Sequence, residues 1–108
     1  MTALRAEAPV ATAPDRDNHS AVFTALSDPI RRAIVERLAH FGSMNVGDLS
    51  APFTVSAPAI SRHLKVLEQA GLVERSVDRQ WRVCALLPTA LLQARSWFDT
   101  VLVANDDN

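Results

Sequence analysis

The chain has 108 residues, of which 48% are hydrophobic, so it is long enough for one domain with a modest core and is not disordered throughout. No apolar run approaches the roughly 20 residues that a membrane-spanning helix needs, and the N-terminus lacks the charged and then apolar pattern of an export signal. The single cysteine, Cys84, excludes an internal disulfide and is typical of a reducing compartment. These features predict a cytoplasmic protein.

The net charge of −1 conceals an uneven distribution of charged residues along the sequence. Residues 56–82 contain five basic and three acidic side chains, a local balance of +2 (five minus three), whereas residues 99–108 contain three aspartates and no basic residue. Binding to nucleic acid depends on the local electric field rather than on the overall charge. The sequence therefore predicts that a nucleic-acid-binding element would lie within residues 56–82.

The first 26 residues divide into a tail and a short helix. Residues 1–18 contain five alanines and two prolines and show no sustained hydrophobic period, which predicts a mobile N-terminal tail. Residues 19–26 are predicted to form a short helix that presents Val22, Phe23 and Leu26.

A second helix has clear start and stop signals. Asp28 is suited to the N-cap position, and Pro29 fits the first helical position, where its missing N–H removes no hydrogen bond. Gly42 is expected to end this helix. The residues predicted to form its apolar face are Ile30, Ile34, Leu38 and Phe41.

Two further helices follow, separated by a turn. A short third helix is predicted over roughly residues 46–53, and residues 54–56 form the turn. A longer fourth helix is predicted over about residues 57–69, and Ala70-Gly71 ends it. A short helix, a turn and a longer basic helix form the helix-turn-helix arrangement, in which the second helix enters the major groove of DNA. The inward-facing residues of the third helix are predicted to be Val46, Leu49 and Phe53.

The fourth helix has a polar face opposite its apolar face. Its polar face is purely basic and hydrogen-bonding, and it begins with small residues after a suitable N-cap, Ser56, so the helix N-terminus can approach DNA closely. An ordinary amphipathic surface helix remains the alternative, and the pattern alone does not choose between them. The predicted apolar stripe is Ala57, Ile60, Leu64 and Leu67, and the opposite face is Pro58, Arg62, Lys65 and Gln69, with Ser61 beside it.

After Gly71 the pattern becomes strand-like. Residues 72–77 and 81–86 are rich in β-formers and are separated by the three polar residues Asp78-Arg79-Gln80, which predicts a hairpin. Three arginines near its tip and flanks favour a wing that reaches phosphates or the minor groove, although a plain solvated hairpin is the alternative. These arginines are Arg75, Arg79 and Arg82.

Pro88 ends the second strand, and a last helix is predicted after it. Trp97 and Phe98 are adjacent in this helix and point about 100° apart, so one subunit is not expected to bury both. The last helix should therefore form a dimer interface. The predicted fold is mostly α-helical with one small β-hairpin, in the order α-α-α-α-β-β-α.

Several segments carry a resemblance to a known family. They are A-L-S-D-P-I-R-R-A-I-V-E-R-L, V-G-D-L, S-A-P-A-I-S-R-H-L-K-V-L-E-Q-A-G-L-V-E-R and W-R-V, within about residues 21–103. The sequence resembles the arsenic-repressor (ArsR/SmtB) family of bacterial regulators. The resemblance implies a winged helix-turn-helix domain over residues 19–103, before an acidic tail over residues 104–108. It also implies a homodimer, built on the first and last helices, that represses by occupying a double-stranded DNA operator.

Two sets of site residues follow from the helical faces together with this resemblance. His63 flanks the apolar stripe of its helix, so a structural role or a phosphate contact is expected rather than a catalytic one. The residues expected at DNA are Ser56, Pro58, Ala59, Ser61, Arg62, His63, Lys65, Arg75, Arg79 and Arg82. The residues expected at the dimer boundary are Val22, Phe23, Leu26, Trp97, Phe98 and Val101.

The sequence departs from the metal-sensing members of that family. Those members bind metal through a cysteine pair near the third helix or through Asp and His residues on the last helix, whereas residues 43–48 contain no cysteine and the last helix contains no histidine. Zinc and soft metals need several sulfur or imidazole ligands in one place. We therefore expect no metal site and no cofactor. The histidines and the cysteine are scattered over four elements: His19, His40, His63 and Cys84.

The predicted function is that of a repressor that binds a palindromic operator as a dimer. The sequence contains no nucleophile elbow, glycine-rich phosphate loop or metalloprotease helix, so an enzyme is not expected. One alternative is a sensor with an atypical metal site at the dimer boundary that includes His19, or with a thiol switch at Cys84, although Cys84 has no resolving partner in the chain. Another is a protein-interaction module that has lost DNA binding. Sensing by a separate co-regulator protein also remains open.

Overall fold

The computed structural model describes residues 18–108. The predicted tail therefore lies outside the described residues, except for Asn18, whose side-chain amide donates to the Ala70 carbonyl at 2.9 Å. In chain order the elements are α1 (His19–Ala25), α2 (Pro29–Phe41), β1 (Met44–Asn45), α3 (Val46–Ser50), α4 (Ala57–Gln69), β2 (Val73–Asp78), β3 (Trp81–Leu86) and α5 (Pro88–Asp106).

α2 begins and ends where the sequence predicted. Asp28 has an extended backbone, and its carboxylate accepts a hydrogen bond from the Arg31 backbone N–H at 3.0 Å. At the other end Gly42 has a φ of 82°, and its N–H donates to the Leu38 carbonyl at 2.9 Å. Glycine adopts such a positive φ at little steric cost, because it has no Cβ atom. The prediction for Phe41 was wrong, because its side chain is 61% exposed.

α3 is shorter than predicted. It ends at Ser50, so Phe53 lies after the helix, where it is half-buried against the core. The reason is Pro52, which has no N–H to donate to the carbonyl one turn earlier and so cannot continue the helical ladder. α4, by contrast, has the predicted bounds, and the Ser56 hydroxyl caps it by accepting from the Ala59 N–H at 3.2 Å.

The sheet has three antiparallel strands in the order β1-β3-β2, one more than the predicted hairpin. β1 pairs Met44 with Cys84, and a strand of two residues is too short to show a period of two in the sequence. Asp78 pairs with Trp81, so the connection of β2 to β3 has two residues and not the predicted three. The element order is therefore α-α-β-α-α-β-β-α, which adds β1 to the predicted order.

The core lies between α1–α4, the sheet and the first half of α5. Large side chains with almost no exposed surface come from nearly every element, which makes this one continuous core. No helix within residues 18–108 is long and apolar enough to cross a membrane. The largest fully buried side chains are Val22, Ile34, Leu38, Leu49, Leu64, Leu67, Leu72, Val73 and Cys84.

α5 extends well beyond this core. It has 19 residues, which corresponds to about 28 Å at 1.5 Å per residue, and only Ala90 and Ala94 are buried. The helix continues to Asp106, so residues 104–106 are helical rather than part of the predicted acidic tail. The large apolar side chains that α5 leaves exposed are Leu92, Trp97, Phe98, Val101, Leu102 and Val103.

Candidate nucleic-acid interface

α4 separates its buried and basic side chains onto opposite faces. Ile60, Leu64 and Leu67 are buried in the core. Arg62 and Lys65 are exposed, and neither side chain forms a hydrogen bond or an ion pair with another residue in the range 18–108. Both charges are therefore available to a ligand. Of the other α4 residues expected at DNA, Pro58 and Ser61 are exposed, Ala59 is half-buried, and the capping residue Ser56 is exposed.

His63 lies apart from this basic face. It is half-buried between α2 and α4, with its Nδ1 atom 3.2 Å from a guanidinium nitrogen of Arg31 and 3.9 Å from the Asp28 carboxylate. The Nδ1 atom faces α2, so His63 joins α4 to the start of α2. The sequence predicted that His63 contacts DNA. In the structure the Nδ1 side of its ring contacts Arg31 within the protein.

Arg31 is the centre of this contact, and the sequence analysis missed it. Its Nε atom donates to the Ala25 carbonyl at 2.7 Å, and a terminal nitrogen donates to the Thr24 carbonyl at 3.4 Å. Arg31 thus joins the C-terminal end of α1 to His63 on α4. The one available signal was its position three residues after the N-cap Asp28, on the first turn of α2.

The Asp28 carboxylate is stabilised in its charged form. The hydrogen bond from the Arg31 backbone N–H is the largest effect and lowers its pKa below the ordinary value. Burial opposes this hydrogen bond, and the charges of His63 and Arg31 add smaller lowering effects. The cap therefore carries a negative charge at the positive end of the α2 dipole. This arrangement fixes the start of α2 beside His63.

The wing is attached to α4 through an ion pair. Two guanidinium nitrogens of Arg75 donate to one carboxylate oxygen of Glu68, at 2.8 and 3.2 Å. The hydrogen bond from Arg75 lowers the pKa of Glu68, and the charges of Arg75 and Lys65 lower it as well. The Arg75 guanidinium is therefore already paired within the protein. Arg75 is for this reason a weaker candidate for binding a DNA phosphate than the sequence suggested.

The other two wing arginines are exposed. Arg79 lies in the two-residue turn with a φ of 59°, a left-handed conformation that is unusual for a residue with a Cβ atom. Arg82 lies on β3 opposite Val77. Neither side chain has an ion-pair or hydrogen-bond partner within residues 18–108. The exposed cations without such partners on α4 and the wing are Arg62, Lys65, Arg79 and Arg82.

An aromatic cluster lies where α1 meets α5. The ring of Phe23 contacts those of Trp97 and Phe98 edge-to-face, with centroids 5.4 and 5.7 Å apart. Trp97 is 42% exposed and Phe98 is 51% exposed. Val101 is exposed one turn further along α5, and Leu26 is half-buried.

Val22 does not belong to this exposed cluster. It has no exposed surface because it faces the core, so its assignment to a dimer contact was wrong. On a seven-residue helix, the face toward the core and the face toward a partner are only one or two residues apart. The sequence pattern could not separate Val22 from Phe23.

The thiol and imidazole groups are dispersed. Cys84 is fully buried in β3, and burial raises the pKa of its thiol, so little reactive thiolate is present near neutral pH. Among residues 18–108 no three His, Cys, Asp or Glu side chains are grouped so that they could hold a metal ion. His19 stacks on Phe23 with ring centroids 6.2 Å apart.

Comparison with known proteins identifies the family. Residues 28–75 match the family model described as "Bacterial regulatory protein, arsR family". The chain is 48% identical over 86 residues to the HTH-type transcriptional regulator Rv2034 of Mycobacterium tuberculosis, which covers 80% of this chain and 75% of that protein. The chain belongs to the arsR family.

Two further similarities agree with arsR membership. The transcriptional repressor SdpR of Bacillus subtilis is 34% identical over 87 residues, covering 81% of this chain and 96% of SdpR. The crystal structure of the ArsR family transcriptional regulator RHA00566 matches with a TM-score of 0.81 at 26% identity, over 90% of this chain and 99% of that one. The arsR proteins are transcriptional regulators, so this chain is a DNA-binding regulator with a winged helix-turn-helix fold and is not an enzyme.

The matched range contains α2, α3, α4 and the start of β2. It includes Arg62, Lys65, His63 and the Asp28 cap. The wing tip and α5 lie outside it, so the roles of Arg79, Arg82 and the aromatic cluster depend on the geometry of this chain.

Proposed function

We propose that this chain is a homodimeric repressor that acts in the cytoplasm by binding a palindromic DNA operator. The observation that carries the proposal is the exposed face of α4, where Arg62 and Lys65 stand opposite the buried side of the helix without partners within residues 18–108. A basic second helix in a helix-turn-helix enters the major groove, and a two-fold dimer reads two inverted half-sites. The name of the relative SdpR supports repression as the mode of action.

The two basic residues of α4 are assigned different roles. Arg62 is proposed to contact a base edge, because a planar guanidinium pairs in bidentate fashion with guanine. Lys65, one helical turn later, is proposed to bind a phosphate as a point charge, which positions the helix but carries no sequence information. Ser56, Pro58, Ala59 and Ser61 provide the small surface that lets the start of α4 approach the DNA.

The wing is proposed to contact the DNA backbone beside the major groove. Arg79 at the tip and Arg82 on β3 are exposed and unpaired within the described residues, whereas Arg75 is held by Glu68. The Arg75–Glu68 contact would then orient the wing relative to α4. A higher salt concentration should weaken the binding of these arginines to DNA, because neutralising phosphates releases counterions from the DNA.

Dimerisation is proposed through α1 and α5. Trp97, Phe98 and Val101 form an exposed apolar surface together with the half-buried Phe23. Surfaces of this kind on soluble proteins usually mark an interaction site. A two-fold axis through the cluster would bury it against the same cluster of a second subunit, which is the self-complementary arrangement of cyclic dimers.

The test of the proposed function is binding to DNA from upstream of the gene that encodes the chain. Fluorescence anisotropy should show saturable binding of one dimer to a palindromic segment, and a scrambled segment of equal length should bind at least tenfold more weakly at the same salt concentration. Equal affinity for the two segments, or no binding at low salt, would contradict the proposal.

The repressor is also proposed to need no metal for DNA binding. The support is the dispersed arrangement of thiol, imidazole and carboxylate groups among residues 18–108, together with the burial of Cys84. Operator affinity should be unchanged after exhaustive chelation and after addition of zinc, nickel or cobalt. A tenfold shift with any of these ions, about 1.4 kcal/mol of coupling, would show that the dimer contains a metal site.

A further inference from the structure

A cleft lies between α4 and the wing, which consists of β2, β3 and the turn between them. Its volume is about 380 Å³, and residues from α3, α4, β2 and β3 line it. This volume is within the range of roughly 300–1,000 Å³ that is typical of small-molecule sites. Its wall is largely apolar, and includes Val46, Ile60, Leu64 and Val77.

Polar residues also line this cleft. They are Ser50, Ser61, Ser76, Arg75 and Arg82. Arg75 is already paired with Glu68. Arg82 has no hydrogen-bond or ion-pair partner in the described part of the chain, so an arginine without a counter-charge lines a largely apolar cleft.

We propose that this cleft binds a small amphipathic carboxylate and that such a ligand displaces DNA. The carboxylate would pair with Arg82, because a guanidinium matches a carboxylate with two parallel hydrogen bonds. The apolar body would lie against the apolar wall, where Val46 and Val77 have accessible surface. Small-molecule sites are usually lined by apolar side chains together with a small number of polar groups.

Displacement follows from the positions of two lining residues, and this step rests on the proposed function. Ser61 belongs to the α4 surface proposed to approach DNA, and Arg82 is one of the two wing cations proposed to bind the backbone. A ligand in the cleft would neutralise Arg82 and cover Ser61. Ligand and DNA would then each weaken the binding of the other by the same factor.

The first experiment measures ligand binding without DNA. Calorimetric titration of the dimer with decanoate should show saturable binding of one molecule per chain. Acetate, which has the anion without the apolar body, and decanol, which has the body without the anion, should each bind at least tenfold more weakly. Equal binding of acetate and decanoate would overturn the proposal, because the apolar wall would contribute nothing.

Two wing arginines provide a matched pair of variants. Arg82→Gln should weaken decanoate binding at least tenfold, whereas Arg79→Gln, which removes the same charge from the same hairpin outside the cleft, should leave it unchanged. Ser76→Phe should block the cleft, and its melting temperature checks that it folds. If Ser76→Phe is unfolded, the two arginine variants decide the result. If Arg82→Gln and Arg79→Gln lose decanoate affinity equally, or if neither loses any, decanoate binds elsewhere and the proposal is overturned.

The second experiment separates the ligand site from the proposed function. Decanoate should release wild-type protein from its upstream DNA at concentrations that fill the cleft, while Ser76→Phe should be released far less readily. If the protein binds decanoate but does not bind DNA, the proposed function is refuted and the ligand site is not. Simultaneous binding of decanoate and DNA without mutual effect would refute the displacement.

Discussion

At the residue scale, Arg62 and Lys65 are three positions apart on the exposed side of α4. We expect Arg62→Ala to cost ~1–3 kcal/mol of binding to the operator and much less on unrelated DNA, because a base contact is lost. Lys65→Ala should weaken binding to all sequences alike and reduce the salt dependence by about one counterion. Anisotropy titrations at several salt concentrations distinguish the two results. Arg95→Ala, an exposed arginine on α5, is the control.

Asp28 gives a second prediction at this scale, about pH. Its pKa is lower in the folded protein than its ordinary value, so its stabilising effect is fully present above the ordinary pKa and is lost as the pH falls through the lowered one. Asp28→Ala should therefore lower the melting temperature at neutral pH, and this difference should shrink under acidic conditions. Asp28→Asn keeps a capping oxygen without the charge, so it should be milder at neutral pH. If Asp28→Ala lowers the melting temperature by the same amount from neutral to strongly acidic pH, the negative charge of Asp28 does not stabilise the fold and the prediction is wrong.

At the element scale, the hairpin turn contains a strained residue. Arg79 has a φ of 59°, which glycine adopts without the steric cost that a Cβ atom brings. Arg79→Gly should raise the free energy of unfolding by about 1 kcal/mol, whereas Arg79→Ala should not raise it. Both variants should weaken DNA binding equally, because both remove the charge. Chemical denaturation and anisotropy measure the two effects separately, and an equal stability change in both variants would count against backbone strain.

α1, α2 and α4 are joined by a few polar contacts at their ends. Arg31 holds the carbonyls of Ala25 and Thr24 on one side and His63 on the other. The orientation of α4 therefore depends partly on α1, the helix that also contributes Phe23 to the aromatic cluster. The contact is a direct structural link between the proposed dimer surface and the proposed DNA surface.

At the scale of the whole molecule, the long exposed end of α5 makes dimerisation the expected state. Trp97→Glu should produce monomers and abolish specific DNA binding together, because a charge would be placed within the aromatic cluster. Phe41→Glu places the same charge on an exposed aromatic of α2, outside that cluster, and should remain dimeric. Light scattering measures the mass. A stable wild-type monomer at micromolar concentration would contradict the prediction.

The sequence by itself determined the order of the helices and the hairpin, because their signals are local. Asp28, Pro29 and Gly42 set the limits of α2, and Ser56 sets the start of α4. The opposite faces of α4 follow from the helical period alone, so Arg62 and Lys65 could be assigned to its exposed side. These features depend on residues at most a few positions apart, and such interactions can be predicted without knowing the fold.

Only the tertiary structure decided which groups meet across elements. The contacts of Arg31 with His63 and of Arg75 with Glu68 join residues 32 and 7 positions apart, on different helices or strands. β1 exists because β3 offers it a partner, and the cleft beside Arg82 exists because α3, α4, β2 and β3 come together around it. The burial of Val22 beside the half-exposed Phe23 depends on which side of α1 faces the core. Each of these facts requires the relative positions of packed elements, which no local pattern encodes.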